Sequence, residues 1–93
     1  MQSECVRRHR VLLSEGFASV VQRRRRAKGL SRAALAAKAG LHQTYVGLLE
    51  RAERSPNLDT AQAIAKSLGV RLSRLVQQSE RTQQRRQKKK RNR

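Results

Sequence analysis

Apolar positions recur along this chain at intervals of three and four, the repeat of an α-helix, and no stretch alternates as a strand would. Phe17 and Val21, with Arg25 one turn further, mark a first helix running to about Lys28. Ser14 is its expected N-cap, and Glu15 sits favourably in the first turn. Gly29 closes this helix, Leu30 plugs its end and Ser31 caps the next, whose apolar face is Leu35, Ala36 and Ala39. There is no capping box, because Ala34 stands where the acid would be. Gly40 ends the second helix and Leu41 follows as a plug. A third helix is predicted over Gln43–Glu50, with His42 at its N-cap and Val46 and Leu49 facing inward. Asn57 caps a fourth, with Asp59 in its first turn and a stripe of Leu58, Ala61, Ile64, Ala65 and Leu68 before Gly69 stops it. Val70 and Leu72 begin a fifth that runs through Leu75 and Val76. The reading is an all-α, five-helix domain over residues 14–78, an N-terminal extension over 1–13, and a basic tail over 79–93. No apolar period survives past Ser79, so the tail is expected to be disordered.

The stretch Arg32–Arg51, RAALAAKAGLHQTYVGLLER, combines what a helix-turn-helix needs: a small residue where the helices approach (Ala36), a glycine at the turn, and apolar anchors on both sides. Its second helix is short and one face points away from the core, so it can enter a DNA major groove. Gln43 and Thr44 hold the two leading positions, where side chains reach base edges. Gln can bond adenine bidentately, and Thr can bond a base or pack on a thymine methyl. Gly47 and Leu48 come one turn further along that face. A glycine in mid-helix costs about 1 kcal/mol relative to alanine, and close approach of backbone to DNA is one reason to keep it. His42 is expected as a capping or phosphate-side residue rather than a metal ligand, since the other histidine is His9 and no metal-binding spacing exists.

Charge strengthens this reading. The net charge is +17, and residues 14–78 alone carry twelve basic and four acidic groups, so an anionic partner is implied. Nucleic acid fits better than membrane, because no basic helix with a large apolar face is evident. The aromatic residues are Phe17 and Tyr45 alone, a poor supply for stacking single-stranded bases. The run Arg23–Arg26 cannot present one face, since successive helical residues turn by about 100°. Cys5 is the single cysteine, which excludes an internal disulfide and leaves an unremarkable thiol or a redox sensor. The arginines before VLLSEGFASVV resemble the start of a signal peptide, but Glu15 and Gly16 break the apolar run. An intracellular, cytoplasmic and nucleoid-associated protein is expected.

The segment KGLSRAALAAKAGLHQTYVGLLERAERSPNLDTAQAIAKSLGVRLSRL resembles the lambda-repressor-like, Cro-type (XRE) helix-turn-helix family, over roughly Phe17 to Leu75. AGLHQTYVGLLERAER is particularly similar to small restriction–modification controller proteins of that family. The resemblance implies a lambda-repressor-like fold that binds double-stranded DNA as a transcriptional regulator, with Gln43, Thr44, Gly47 and Leu48 facing bases. Phosphates would be met by Ser31, Arg32, His42, Tyr45, Arg51 and Arg54. Arg32 replaces the Gln usual in the family and either contacts a phosphate or is solvated. Tyr45 either bonds a phosphate or simply packs. Leu48 departs from the usual polar residue, for a thymine methyl or a dimer contact. Glu50 should face Arg25 as a structural ion pair. Ala52 stands where the family commonly has a glycine in left-handed conformation, which alanine adopts at some cost. Leu72, Leu75 and Val76 either form a two-fold dimer contact or merely seal the core. A homodimer would set two recognition helices about 34 Å apart on a palindromic site. No cofactor or metal is implied.

The six acidic residues are scattered, and no catalytic arrangement is evident, so an enzyme is not expected. Two other readings remain open. One is a non-specific basic nucleic-acid-binding protein, in which the tail follows the duplex rather than serving solubility alone. The other is an antitoxin-type DNA-binding protein that holds a protein partner through residues 1–13.

Overall fold

The computed structural model describes residues 11–91, and these form five helices and no strand. They are α1 (Leu13–Ala27), α2 (Arg32–Ala39), α3 (Gln43–Glu50), α4 (Leu58–Ser67) and α5 (Leu72–Arg91). Four of the five helices end within a residue or two of their expected limits, and at α2 and α4 side-chain caps set the start. Ser31 accepts a hydrogen bond from the Ala34 amide at 3.0 Å, and Asn57 from the Thr60 amide at 2.8 Å. Gly40, at φ +70°, turns the chain out of α2, and the Leu41 amide closes back on the Ala36 carbonyl at 2.8 Å.

One core joins all five helices. Phe17, Val20 and Val21 of α1 meet Leu35 and Ala36 of α2, and Val46 and Leu49 of α3. Ala61, Ile64 and Ala65 of α4, then Leu68 and Leu75, complete it. Leu30, Leu41, Val70 and Leu72 pack around its edge, as plugs should. Leu58, assigned to the stripe of α4, instead lies 77% exposed, on the first turn and past the edge of the core. Leu75 is fully buried in the core, which removes it as a dimer contact.

Both ends of the domain differ from expectation. α1 starts at Leu13 with Leu12 as its N-cap, so Ser14 lies inside the helix and caps nothing. The cause is Val11, which is buried, donates its amide to Gln87 Oε1 and accepts from Gln83 Nε2 at 3.0 Å. The chain is thereby fixed onto α5 before α1 begins. Leu12 and Leu13 point outward. The expected partner segment lies, apart from residues 11–13, outside the described residues.

The expected disordered tail is helical from Ser79 to Arg91, as a continuation of α5. Its Arg, Lys and Gln residues are good helix formers. It docks on α1 through small and polar residues rather than large apolar ones. Ser79 and Thr82 are buried against α1. A Cβ added at Gly16 would lie 2.3 Å from the Ser79 carbonyl oxygen and 3.2 Å from the Gln83 amide nitrogen. Gly16 therefore lets the two backbones approach closely. Arg24 Nε donates to Gln78 Oε1 at 2.8 Å, and Ser79 Oγ to the Leu75 carbonyl at 2.7 Å.

Candidate nucleic-acid interface

α3 is held by its inner face and by its last residue. Val46 and Leu49 are each 1% exposed in the core. Glu50, whose side chain is fully buried, receives two arginines. Arg25 of α1 reaches it through Nε at 2.6 Å to Oε2 and Nη2 at 3.1 Å to Oε1, a bidentate arrangement. Arg32 of α2 adds Nε at 3.0 Å to Oε1, while Arg25 Nη1 donates to the Leu30 carbonyl at 2.8 Å. One carboxylate thus ties three helices together. Burial alone would raise the pKa of Glu50, but hydrogen bonds from Arg25 and Arg32 and their positive charges outweigh it, and the carboxyl titrates below its ordinary range.

The expected Arg25–Glu50 pair is therefore present, and the place of Arg32 is a surprise. It is bound to Glu50 rather than simply solvated, though its side chain remains 41% exposed. The run Arg23–Arg26 divides as helical geometry requires: Arg25 is buried, Arg24 bonds Gln78, and Arg23 and Arg26 are exposed.

The outer face carries the rest. His42, Gln43 and Thr44 are exposed at the start of α3, and His42 makes no side-chain cap bond. Gly47, expected on this open face, is buried, and a Cβ added there would lie 3.5 Å from Arg51 Nη1. The arginine covers it in the free protein. Leu48 is half-buried beside it. Tyr45 is also half-buried and packs on the core. Ser31 is exposed, with its oxygen committed to capping α2. Past α3, Arg51, Arg54 and Ser55 are exposed in the loop before Pro56. Ala52 there takes φ +60°, the conformation expected of a replaced glycine. Arg51 Nε lies 3.2 Å from Glu53 Oε2, an exposed pair that contributes little to stability.

At the far end of the domain, Leu72 and Val76 are half-buried and line a shallow groove with Arg71, Arg74, Gln77 and Glu80. Among the described residues no group of three or more His, Cys, Asp or Glu could hold a metal ion. No helix among them is long and apolar enough to cross a membrane. Sequence reasoning missed Gly16, Ser79, Thr82 and Gln83 as packing residues. Their signal, small residues at helical spacing on two helices, lies outside an apolar-period search.

Known proteins are similar to this chain in sequence and fold. The HTH_3 helix-turn-helix family model matches residues 21–75. The control protein C.SmaI of Serratia marcescens is 38% identical over 64 residues, covering 69% of this chain and 76% of that protein. The crystal structure of the restriction–modification controller protein C.AhdI from Aeromonas hydrophila superposes with a TM-score of 0.65 at 34% identity, covering 67% of this chain and 94% of that one. The clp gene regulator ClgR of Corynebacterium glutamicum reaches a TM-score of 0.77 over 81% of this chain and 80% of its own, and at 19% identity it shows likeness of fold alone. With its turn glycine, its clamped third helix and these relatives, the chain belongs to the HTH_3, Cro-type (XRE) helix-turn-helix family of transcriptional regulators.

Proposed function

We propose that this protein regulates transcription by binding a specific double-stranded DNA site as a homodimer, with α3 in the major groove. The observation that carries the reading is the exposure of Gln43 and Thr44 on the first turn of a helix whose opposite face and last residue are immobilised. A rigid scaffold under two base-reading side chains keeps the ordering cost of recognition low. Gln43 suits adenine and Thr44 a base edge or thymine methyl. Leu48 can add an apolar contact beside them, and Gly47 comes within reach of the duplex if Arg51 swings away to a phosphate. His42, Ser31, the outer part of Arg32, the Tyr45 hydroxyl, Arg51 and Arg54 surround this helix as candidate backbone contacts, which position the protein without reading sequence.

Leu72 and Val76 supply the apolar part of the proposed dimer contact. Two-fold pairing there would make half-sites repeat about one helical turn apart. The likeness to C.SmaI and C.AhdI, one a control protein and the other a restriction–modification controller, supports control of gene expression as the biological role. Amide NMR mapping with a duplex pool tests the placement. Shifts concentrated at Ser31–Arg32, 42–48 and 51–54 are expected, and shifts confined to the basic half of α5 would contradict it.

A further inference from the structure

Where α1 and α5 meet through small residues, a groove of about 350 Å³ runs along their outer edge. Its volume lies at the low end of the range typical for small-ligand sites, about 300–1,000 Å³. Ser19 and Arg23 of α1 line it with Thr82, Arg85, Arg86 and Lys89 of α5. Ser19/Arg23, Thr82/Arg86 and Arg85/Lys89 are each four residues apart, so each pair shares a helix face. Four cations and no carboxylate border the groove, and none of the four is ion-paired among the described residues. Such crowding of like charge is unfavourable until an anion enters.

The hydroxyls supply an independent observation. Ser79, one turn earlier on α5, bonds its own helix carbonyl, as buried helical serines and threonines commonly do. Thr82 does not: it is 6% exposed, and its Oγ1 has no hydrogen-bond partner among the described residues. It lines the groove as a buried donor awaiting an acceptor. Ser19 Oγ accepts from Arg86 Nη2 at 3.3 Å, which leaves its own proton to donate.

We propose that this groove is a phosphate-binding site separate from α3, in which Thr82 and Ser19 donate from the floor and Arg23, Arg85, Arg86 and Lys89 close around the anion. The phosphate can belong to a duplex backbone or to a free small molecule. The fold favours the backbone, because Ser19 and Arg86 also border the hollow that reaches Arg51 at the end of α3. That assignment rests on the DNA-binding reading, whereas the phosphate site itself does not.

The test uses the full chain and inorganic phosphate as the probe, with chloride adjusted to hold ionic strength constant. A saturable rise in melting temperature is expected for the wild type. Most of that rise should be lost in Thr82→Val, and all of it in the Arg85→Gln/Lys89→Gln double variant. Thr82→Val keeps the shape and removes an unpaired buried hydroxyl, so without phosphate its melting temperature should equal or exceed that of the wild type. No rise over chloride, or an equal rise in Thr82→Val, overturns the proposal. A second arm identifies the source. Duplex affinity falls with salt by a log–log slope of about 0.9 for each phosphate contacted. With the phosphate-induced rise established, a double-variant slope shallower by about one contact assigns the site to the DNA backbone. An unchanged slope assigns it to a free phosphate compound. Should the wild type bind no DNA at all, the reading of α3 fails while the first arm still decides on the groove.

Discussion

The Arg25 guanidinium holds the Glu50 carboxylate through two nitrogens, at 2.6 and 3.1 Å, and so fixes the end of α3 to the first helix of the domain. Both groups are buried, and a buried carboxylate that loses its partner is costly. Arg25→Ala should therefore destabilise the protein by about 3–5 kcal/mol, toward the lower value because Arg32 remains on Glu50. For a domain of this size that is a fall in melting temperature of more than about 10 °C. An unchanged melting temperature would show that the pair does not support the fold.

The same contact makes stability depend on pH. The pKa of Glu50 is lower in the folded protein than the ordinary glutamate value of 4.5. Between those two values the unfolded chain binds the extra proton, so stability rises with pH. The contribution of Glu50 is present above the unfolded value and is lost as pH falls through the folded one. Carbon NMR of the Glu50 carboxyl checks this directly. Titration at or above 4.5 would be inconsistent with both arginines donating to it.

Gly16→Ala tests the docking of α5. Alanine is the better helix former by about 1 kcal/mol, so on an isolated α1 the change would stabilise. Here its Cβ would meet the Ser79 carbonyl at 2.3 Å, and that atom is backbone and cannot rotate aside. Overpacking of this kind costs about 1–3 kcal/mol. A lower melting temperature is expected, together with faster hydrogen exchange in residues 79–87. A raised melting temperature would mean that the two helices do not approach this closely.

Ala52→Gly should act in the opposite direction. Ala52 is the one non-glycine residue at positive φ among the described residues. Left-handed backbone costs an L-residue roughly 1–2 kcal/mol, and glycine relieves most of this at some cost in unfolded-state entropy. Urea denaturation is expected to show a gain of about 1 kcal/mol, with the slope of the transition unchanged.

How much of this was legible depended on how each element is built. α2, α3 and α4 declared themselves because large apolar residues recur at helical spacing between Ser31, Gly40, Asn57 and Gly69, residues with marked capping or turn preferences. The second half of α5 did not, because its contact face is Ser79, Thr82 and Gln83 against a glycine. A search for apolar periodicity finds nothing in such a face. Leu58 and Leu75 show the converse limit. Both fit a helical stripe, but which end of a stripe overhangs the core depends on how the helices pack. The outward position of Gln43 and Thr44 followed from the inward one of Val46 and Leu49. The pairing of Arg32 with Glu50 required three helices to be placed together.

In the proposed function Gln43 and Thr44 read sequence from a paired site. Selection of random duplexes by the purified protein at about 150 mM salt, near the physiological ionic strength, followed by sequencing, addresses it most directly. The expected result is an enriched inverted repeat whose half-sites lose their preference in Gln43→Ala and Thr44→Ala. Retention of DNA without any enriched motif, unaffected by those substitutions, would contradict the account and leave a basic protein that holds the duplex by its backbone alone.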